Sequence, residues 1–116
     1  MSAVPQSEQP VLLREDLNGV TTLTLNRPQQ MNLLTREMID ALQAAFDSIA
    51  QDPDVHVVVI AAAGKGFCAG HDLKEIRALK ELPKIEGLFS ACSRMMLTMH
   101  DLPQPVIPTP TAAMTA

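Results

Sequence analysis

The chain has 116 residues, less than one typical domain by the length prior, which argues against two independent globular units. Hydrophobic residues make up 47% and charged residues 19%, a balance that excludes a wholly disordered chain. Net charge is −4, the 9 Lys and Arg are scattered, and 3 Phe are the whole aromatic content, so a basic nucleic-acid groove with stacking rings is not expected.

A chain of this size buries roughly 65% of its unfolded surface, enough for a core without staples. With no Trp or Tyr, that core must be filled by Leu, Ala, Val, Ile and Met. The longest purely apolar run, residues 57–63, is far too short to span a bilayer. Residues 1–10 are polar and hold two prolines, and they read as a disordered lead-in. They lack the basic start and apolar middle of a secretory signal. Cys68 and Cys92 form neither a metal-type pair nor a disulfide framework, so no metal site and a reduced, cytoplasmic compartment are expected.

In chain order, residues 11–14 and 20–26 are short apolar stretches separated by Asn18-Gly19, a strong hairpin signal. Arg27-Pro28 ends the second. Thr35 can cap a helix with Glu37 in its first turn, and Met38, Ile39, Leu42, Phe46 and Ile49 recur at helical spacing. Asp52-Pro53-Asp54 ends that helix. Residues 55–61 do not alternate and are rich in valine, which predicts a strand buried on both faces. Strand, helix, strand is a βαβ crossover pattern and points to an α/β fold.

Asp72-Leu-Lys-Glu75 reads as a capping box, opening a helix that runs to about Lys80. A second helix carries Ile85, Leu88, Phe89, Cys92, Met95, Met96, Met99 and Leu102 on one broad apolar stripe. Residues 104–107 look like the start of a third strand, which Pro108 should interrupt because a central ladder does not tolerate proline.

Chemistry concentrates between Gly64 and Lys74, after a predicted strand and at a helix start, where open α/β sheets bind ligands. Unpaired N–H groups at a helix start can hold an anion or an oxygen that becomes negative during reaction. Ala69 and Gly70 would let a ligand approach the main chain closely. Gly64, Gly66 and Gly70 miss the G-x-G-x-x-G dinucleotide spacing by one residue, and the phosphate loop pattern fails too. On glycine spacing alone, a plain strand-to-helix turn remains the simpler reading.

The full string Phe67-Cys-Ala-Gly-His-Asp-Leu-Lys-Glu75 resembles the acyl-CoA-binding motif of the crotonase, or enoyl-CoA hydratase/isomerase, superfamily. Thr22-Leu-Thr-Leu-Asn-Arg-Pro28, then Asn32-Leu-Leu-Thr35, then a helix and Val57-Val-Val-Ile60 agree with it, so the resemblance covers about residues 11–107. The histidine of the motif resembles the branch of enoyl-CoA hydratase domain-containing protein 3. The resemblance implies the N-terminal part of the crotonase spiral of ββα units. It implies a lead-in at 1–10, a partial domain at 11–107 and an atypical Pro/Thr/Ala tail at 108–116.

The resemblance also implies chemistry. The residue after the motif glycine, here His71, would give its backbone N–H to a thioester oxygen as the carbonyl becomes an enolate. Coenzyme A contacts would fall on Ala69, Gly70, His71, Asp72, Leu73 and Lys74, with Gln29, Gln30 and Met31 as the other wall. CoA would arrive as part of the substrate, an acyl-CoA thioester, and no separate cofactor is expected. Many members carry lysine where Gln29 stands, so a phosphate contact is weakened here. Simpler roles stand beside these: Asp72 as a helix cap, Lys74 as a solvated charge, Cys68 as a packed thiol, and Met95, Met96 and Met99 as core.

Family members are usually more than twice this length, and form trimers or hexamers. Their later residues supply the second oxyanion N–H and the acid/base carboxylates, which these 116 residues do not match. The reading is therefore a truncated family protein. The alternative is a non-catalytic fragment that at most binds CoA or a partner subunit. The faces of residues 38–49 and 85–102 are expected to lack some of their partners, leaving an apolar patch prone to self-association.

Overall fold

In the computed structural model the described residues are 9–64 and 71–109. They form β1 (Leu12–Leu17), β2 (Val20–Leu25), α1 (Arg36–Ala50), β3 (Val57–Ala62), α2 (Leu73–Leu79), α3 (Leu82–His100) and β4 (Val106–Pro108), with a short 3-10 turn at Pro28–Gln30. The four strands make one sheet in the order β1-β2-β3-β4.

β1 and β2 are an antiparallel hairpin, with Leu17 opposite Val20. Asn18 and Gly19 both have positive φ, 53° and 83°, as a two-residue turn matched to strand twist requires. β2 and β3 are parallel, joined by the α1 crossover, and β3 and β4 are parallel, joined by α2 and α3.

Thr35 caps α1 by accepting the Met38 N–H at 3.1 Å. All five apolar residues expected on its inner face, Met38, Ile39, Leu42, Phe46 and Ile49, are buried. They meet Leu23, Leu25 and Val58 of the sheet and Leu88 and Met95 of α3 in one core. The expectation that some partners are missing is therefore corrected for the α1 face: β2, β3 and α3 bury all five of these residues.

Three other expectations are corrected. β3 is not buried on both faces, since Val58 is enclosed while Val57, Val59 and Ile60 are half-buried. Helices cover one side of the sheet, and the described residues lay no second layer on the other. The broad stripe of α3 is narrower than its composition suggests. Leu88 and Met95 are buried, but Phe89 is 42% and Met96 47% exposed, because α1 meets only one edge of the stripe.

Pro108 does not interrupt the strand expected at residues 104–107; it belongs to that strand, β4. The ladder continues beyond it, with the Thr109 N–H donating to the Ile60 carbonyl at 2.8 Å. Successive residues of a strand turn their N–H groups to opposite sides. Thr109 faces β3, so the proline nitrogen one residue earlier faces the open edge, where no donor is needed. At the other end, Gln9 and Pro10 are tied down through their carbonyls, which accept from the Arg27 guanidinium at 2.8 and 3.2 Å. The expected lead-in is thus anchored at its last two residues, and the tail beyond Thr109 lies outside the described residues.

Candidate functional site

The residues just before α2 and the turn before α1 lie together at the end of β3. Between them is a cavity of about 510 Å³ lined by Gln29, Gln30, Leu33, His71, Asp72, Leu73 and Lys74. Six of these seven residues are ones the sequence singles out. Leu33 is an addition. Met31 is not on the wall; it is 57% exposed and its backbone is left-handed, with φ 54°. Ala69 and Gly70 lie outside the described residues, as does Cys68.

One wall is the 3-10 turn at Pro28–Gln30. Arg27 precedes it, and this guanidinium is buried yet satisfied, since it also donates to the Asn26 carbonyl at 2.9 Å. Asn32 closes the turn from inside. It is fully buried; its Oδ1 accepts the Arg27 N–H at 2.7 Å, and its Nδ2 donates to the Ala63 carbonyl at 3.0 Å. An orphaned amide would be costly there, so these bonds fix the turn to the end of β3. Met31 and Asn32 have consecutive positive φ values, 54° and 52°, a conformation asparagine accepts more readily than methionine.

The other wall is the start of α2. Asp72 has extended backbone and its Oδ1 accepts the N–H groups of Lys74 at 3.0 Å and Glu75 at 3.4 Å, so it caps the helix. The second half of the expected capping box is corrected. Glu75 does not reach back to Asp72; its Oε1 accepts the Arg36 N–H at the start of α1, at 2.9 Å. α1 offers its own unpaired N–H groups close by, and a carboxylate is favoured at a helix N-terminus.

His71 lies two residues before α2 and forms an isolated parallel bridge with Leu34. Its ring stands edge-on to Phe89, centroids 4.9 Å apart and planes 69° apart. Its Nδ1 is buried with no hydrogen-bond partner among the described residues. Packing against Phe89 thus governs the imidazole, and His71 as a residue lines the cavity. Leu73 and Lys74 are exposed on its rim. Sequence reasoning missed Asn32 and Leu33 as parts of this site. The one available signal was an asparagine just after a Pro-containing turn, a residue type that favours left-handed backbone and local hydrogen bonds.

The α3 methionines divide. Met95 is core, Met96 faces outward, and Met99 lines a separate apolar groove of about 680 Å³ beside Ile60, Pro105 and Val106. Among the described residues no helix is long and apolar enough to cross a membrane.

Residues 20–110 match a family model described as enoyl-CoA hydratase/isomerase. The chain is 35% identical over 95 residues to the mitochondrial enoyl-CoA hydratase domain-containing protein 3 of Danio rerio, a match that covers 82% of this chain and 33% of that protein. A crystal structure of an enoyl-CoA hydratase from Mycobacterium smegmatis superposes with a TM-score of 0.83 at 51% identity, covering 86% of this chain and 39% of that one. Human enoyl-CoA hydratase domain-containing protein 3 superposes with a TM-score of 0.80 at 31% identity, again over 86% of this chain and 39% of that one. The expected crotonase-type α/β fold is the one these structures share, and the likeness to the domain-containing protein 3 branch stands. The chain spans about a third of the length of the curated relative. That relative is named mitochondrial, so it lends no support to a cytoplasmic location.

Proposed function

Because the chain belongs to the enoyl-CoA hydratase/isomerase family, we propose that its cavity takes the coenzyme A part of an acyl-CoA thioester and that the His71 N–H donates to the thioester oxygen. The observation that carries this reading is the junction of Gln29 and Gln30 with His71, Asp72, Leu73 and Lys74 around one cavity. Amide side chains on one wall suit hydrogen bonds to an adenine or a pantetheine. Lys74 on the rim suits a phosphate. A donor at the mouth of α2 lowers the barrier to an enolate because it meets charge that develops only as the reaction proceeds.

Family chemistry of this kind is hydration or isomerisation through an enolate. The His71 N–H is the oxyanion donor these residues offer, and CoA enters as substrate, with no separate cofactor. A second reading is a segment that binds CoA without performing the proton transfers. It is favoured by the carboxylate on the described cavity wall: Asp72 is engaged by two N–H groups of α2 and is poorly placed as a free acid or base. A cytoplasmic location rests only on the cysteine pattern, and self-association only on the exposed side of α3.

Calorimetric titration of the 116-residue chain with CoA tests the binding. Saturable heat that weakens in Lys74→Ala and Gln30→Ala supports it; no heat refutes it. Loss of the ultraviolet absorbance of a short enoyl-CoA separates the two readings. Turnover above background that disappears in a cavity-wall variant favours the catalytic one, and binding without turnover favours the other.

A further inference from the structure

The two walls of the cavity are carried by segments far apart in the chain: one is fastened to the end of β3, the other to the residues that lead from that first wall into α1. On the Gln29–Gln30 side the fastening is Asn32. This residue has no exposed surface, and its amide reaches Arg27 in one direction and Ala63 in the other. Its own N–H donates to the Arg27 carbonyl at 2.9 Å, so residues 27–32 are closed into a ring. Gly64, the next residue after Ala63, has φ 81° and sits directly on Pro28: an added Cβ would lie 2.5 Å from the proline Cβ. On the other side, His71 pairs with Leu34 and Glu75 holds Arg36, which ties the start of α2 to the start of α1.

We infer that Asn32 is a positioning residue that sets the distance between the Gln29–Gln30 wall and the His71–Lys74 wall. The inference rests on the proposed CoA site for its functional meaning, but its geometry can be tested without ligand. Asparagine suits this position because it supplies an acceptor and a donor on one rigid amide and tolerates φ 52°. Aspartate keeps the acceptor and loses the donor to Ala63, so the turn would stay closed while its tie to β3 is released.

The test uses the full 116-residue chain with spin labels at Gln29→Cys and Lys74→Cys, the native cysteines replaced by alanine. Dipolar broadening between the labels is compared in the parent, in Asn32→Asp, and in Ile49→Val. The last is a buried change in α1 that lowers stability away from the cavity wall. The expected result is a lengthened or broadened distance in Asn32→Asp alone. Should that variant not fold, Gly64→Ala displaces Pro28 from the strand side and is expected to widen the same distance. In unlabelled protein, loss of one such tie is expected to raise the Kd for CoA about tenfold, with Ile49→Val unchanged.

An unchanged distance in the folded Asn32→Asp variant overturns the inference. So does a loosened wall that leaves CoA affinity at the wild-type value. A wall that loosens in protein that never binds CoA supports the positioning role and overturns the functional reading alone.

Discussion

The carboxylate of Glu75 accepts the backbone N–H of Arg36 at 2.9 Å, so the second helix caps the first. The bond spans 39 residues and fixes how α2, which carries one wall of the cavity, sits against α1. Removing it in Glu75→Ala is expected to cost about 1 kcal/mol, the usual scale of a lost N-terminal cap. Glu75→Gln keeps an acceptor oxygen and should lose less. Urea unfolding of the two variants checks the order; equal losses would show that the charge, and not the hydrogen bond, matters.

Gly64→Ala is expected to destabilise by at least about 1–2 kcal/mol, since alanine pays for left-handed backbone and also meets Pro28. Gly87→Ala should do the opposite. Gly87 is exposed inside α3, and an added Cβ there meets nothing within 4 Å. Alanine should stabilise by roughly 0.5–1 kcal/mol. Thermal melts of the two variants moving in opposite directions would confirm both placements.

Neighbouring methionines on α3 should behave differently. Met95 is 2% exposed and Met96 is 47% exposed. Met95→Ala is expected to cost about 2–5 kcal/mol and Met96→Ala no more than about 0.5 kcal/mol. Similar losses at both positions would mean that the outer face of α3 is covered in solution.

Asp16 provides a pH test. Hydrogen bonds from the Arg14 guanidinium, and then from the Thr21 hydroxyl, hold its carboxyl below the usual carboxylate value. The folded chain therefore binds this proton less readily than the unfolded chain. The associated stability is complete above the unfolded value, about pH 4, and is lost as pH falls toward the lower folded value. Asp16→Asn should flatten the fall in unfolding free energy below about pH 4 and leave its slope near pH 7 unchanged. A parallel acid slope in the variant would contradict this.

Local signals were legible wherever a residue acts on its own neighbours. Asn18-Gly19 made its hairpin, Thr35 capped α1, Asp72 capped α2, and the spacing of Met38, Ile39, Leu42, Phe46 and Ile49 marked a face that is buried in full. The motif from Phe67 to Glu75, set beside the turn at Gln29 and Gln30, also pointed to the two walls that meet at the cavity.

Tertiary structure decided what depended on partners distant in the chain. Glu75 had the spacing of a capping box, but a neighbouring helix offered its carboxylate an unpaired N–H. Pro108 looked like a strand breaker until β4 lay with its proline nitrogen toward the open edge. Periodicity marked the α3 stripe as apolar, but only contact with α1 decided that Leu88 and Met95 are enclosed while Phe89 and Met96 are not. Asn32 carried only a turn-type signal in the sequence, because the bonds that define its role join Arg27 to Ala63. A polar side chain declares its role through its hydrogen-bond partners, and those partners exist only once the strand and the turn have come together.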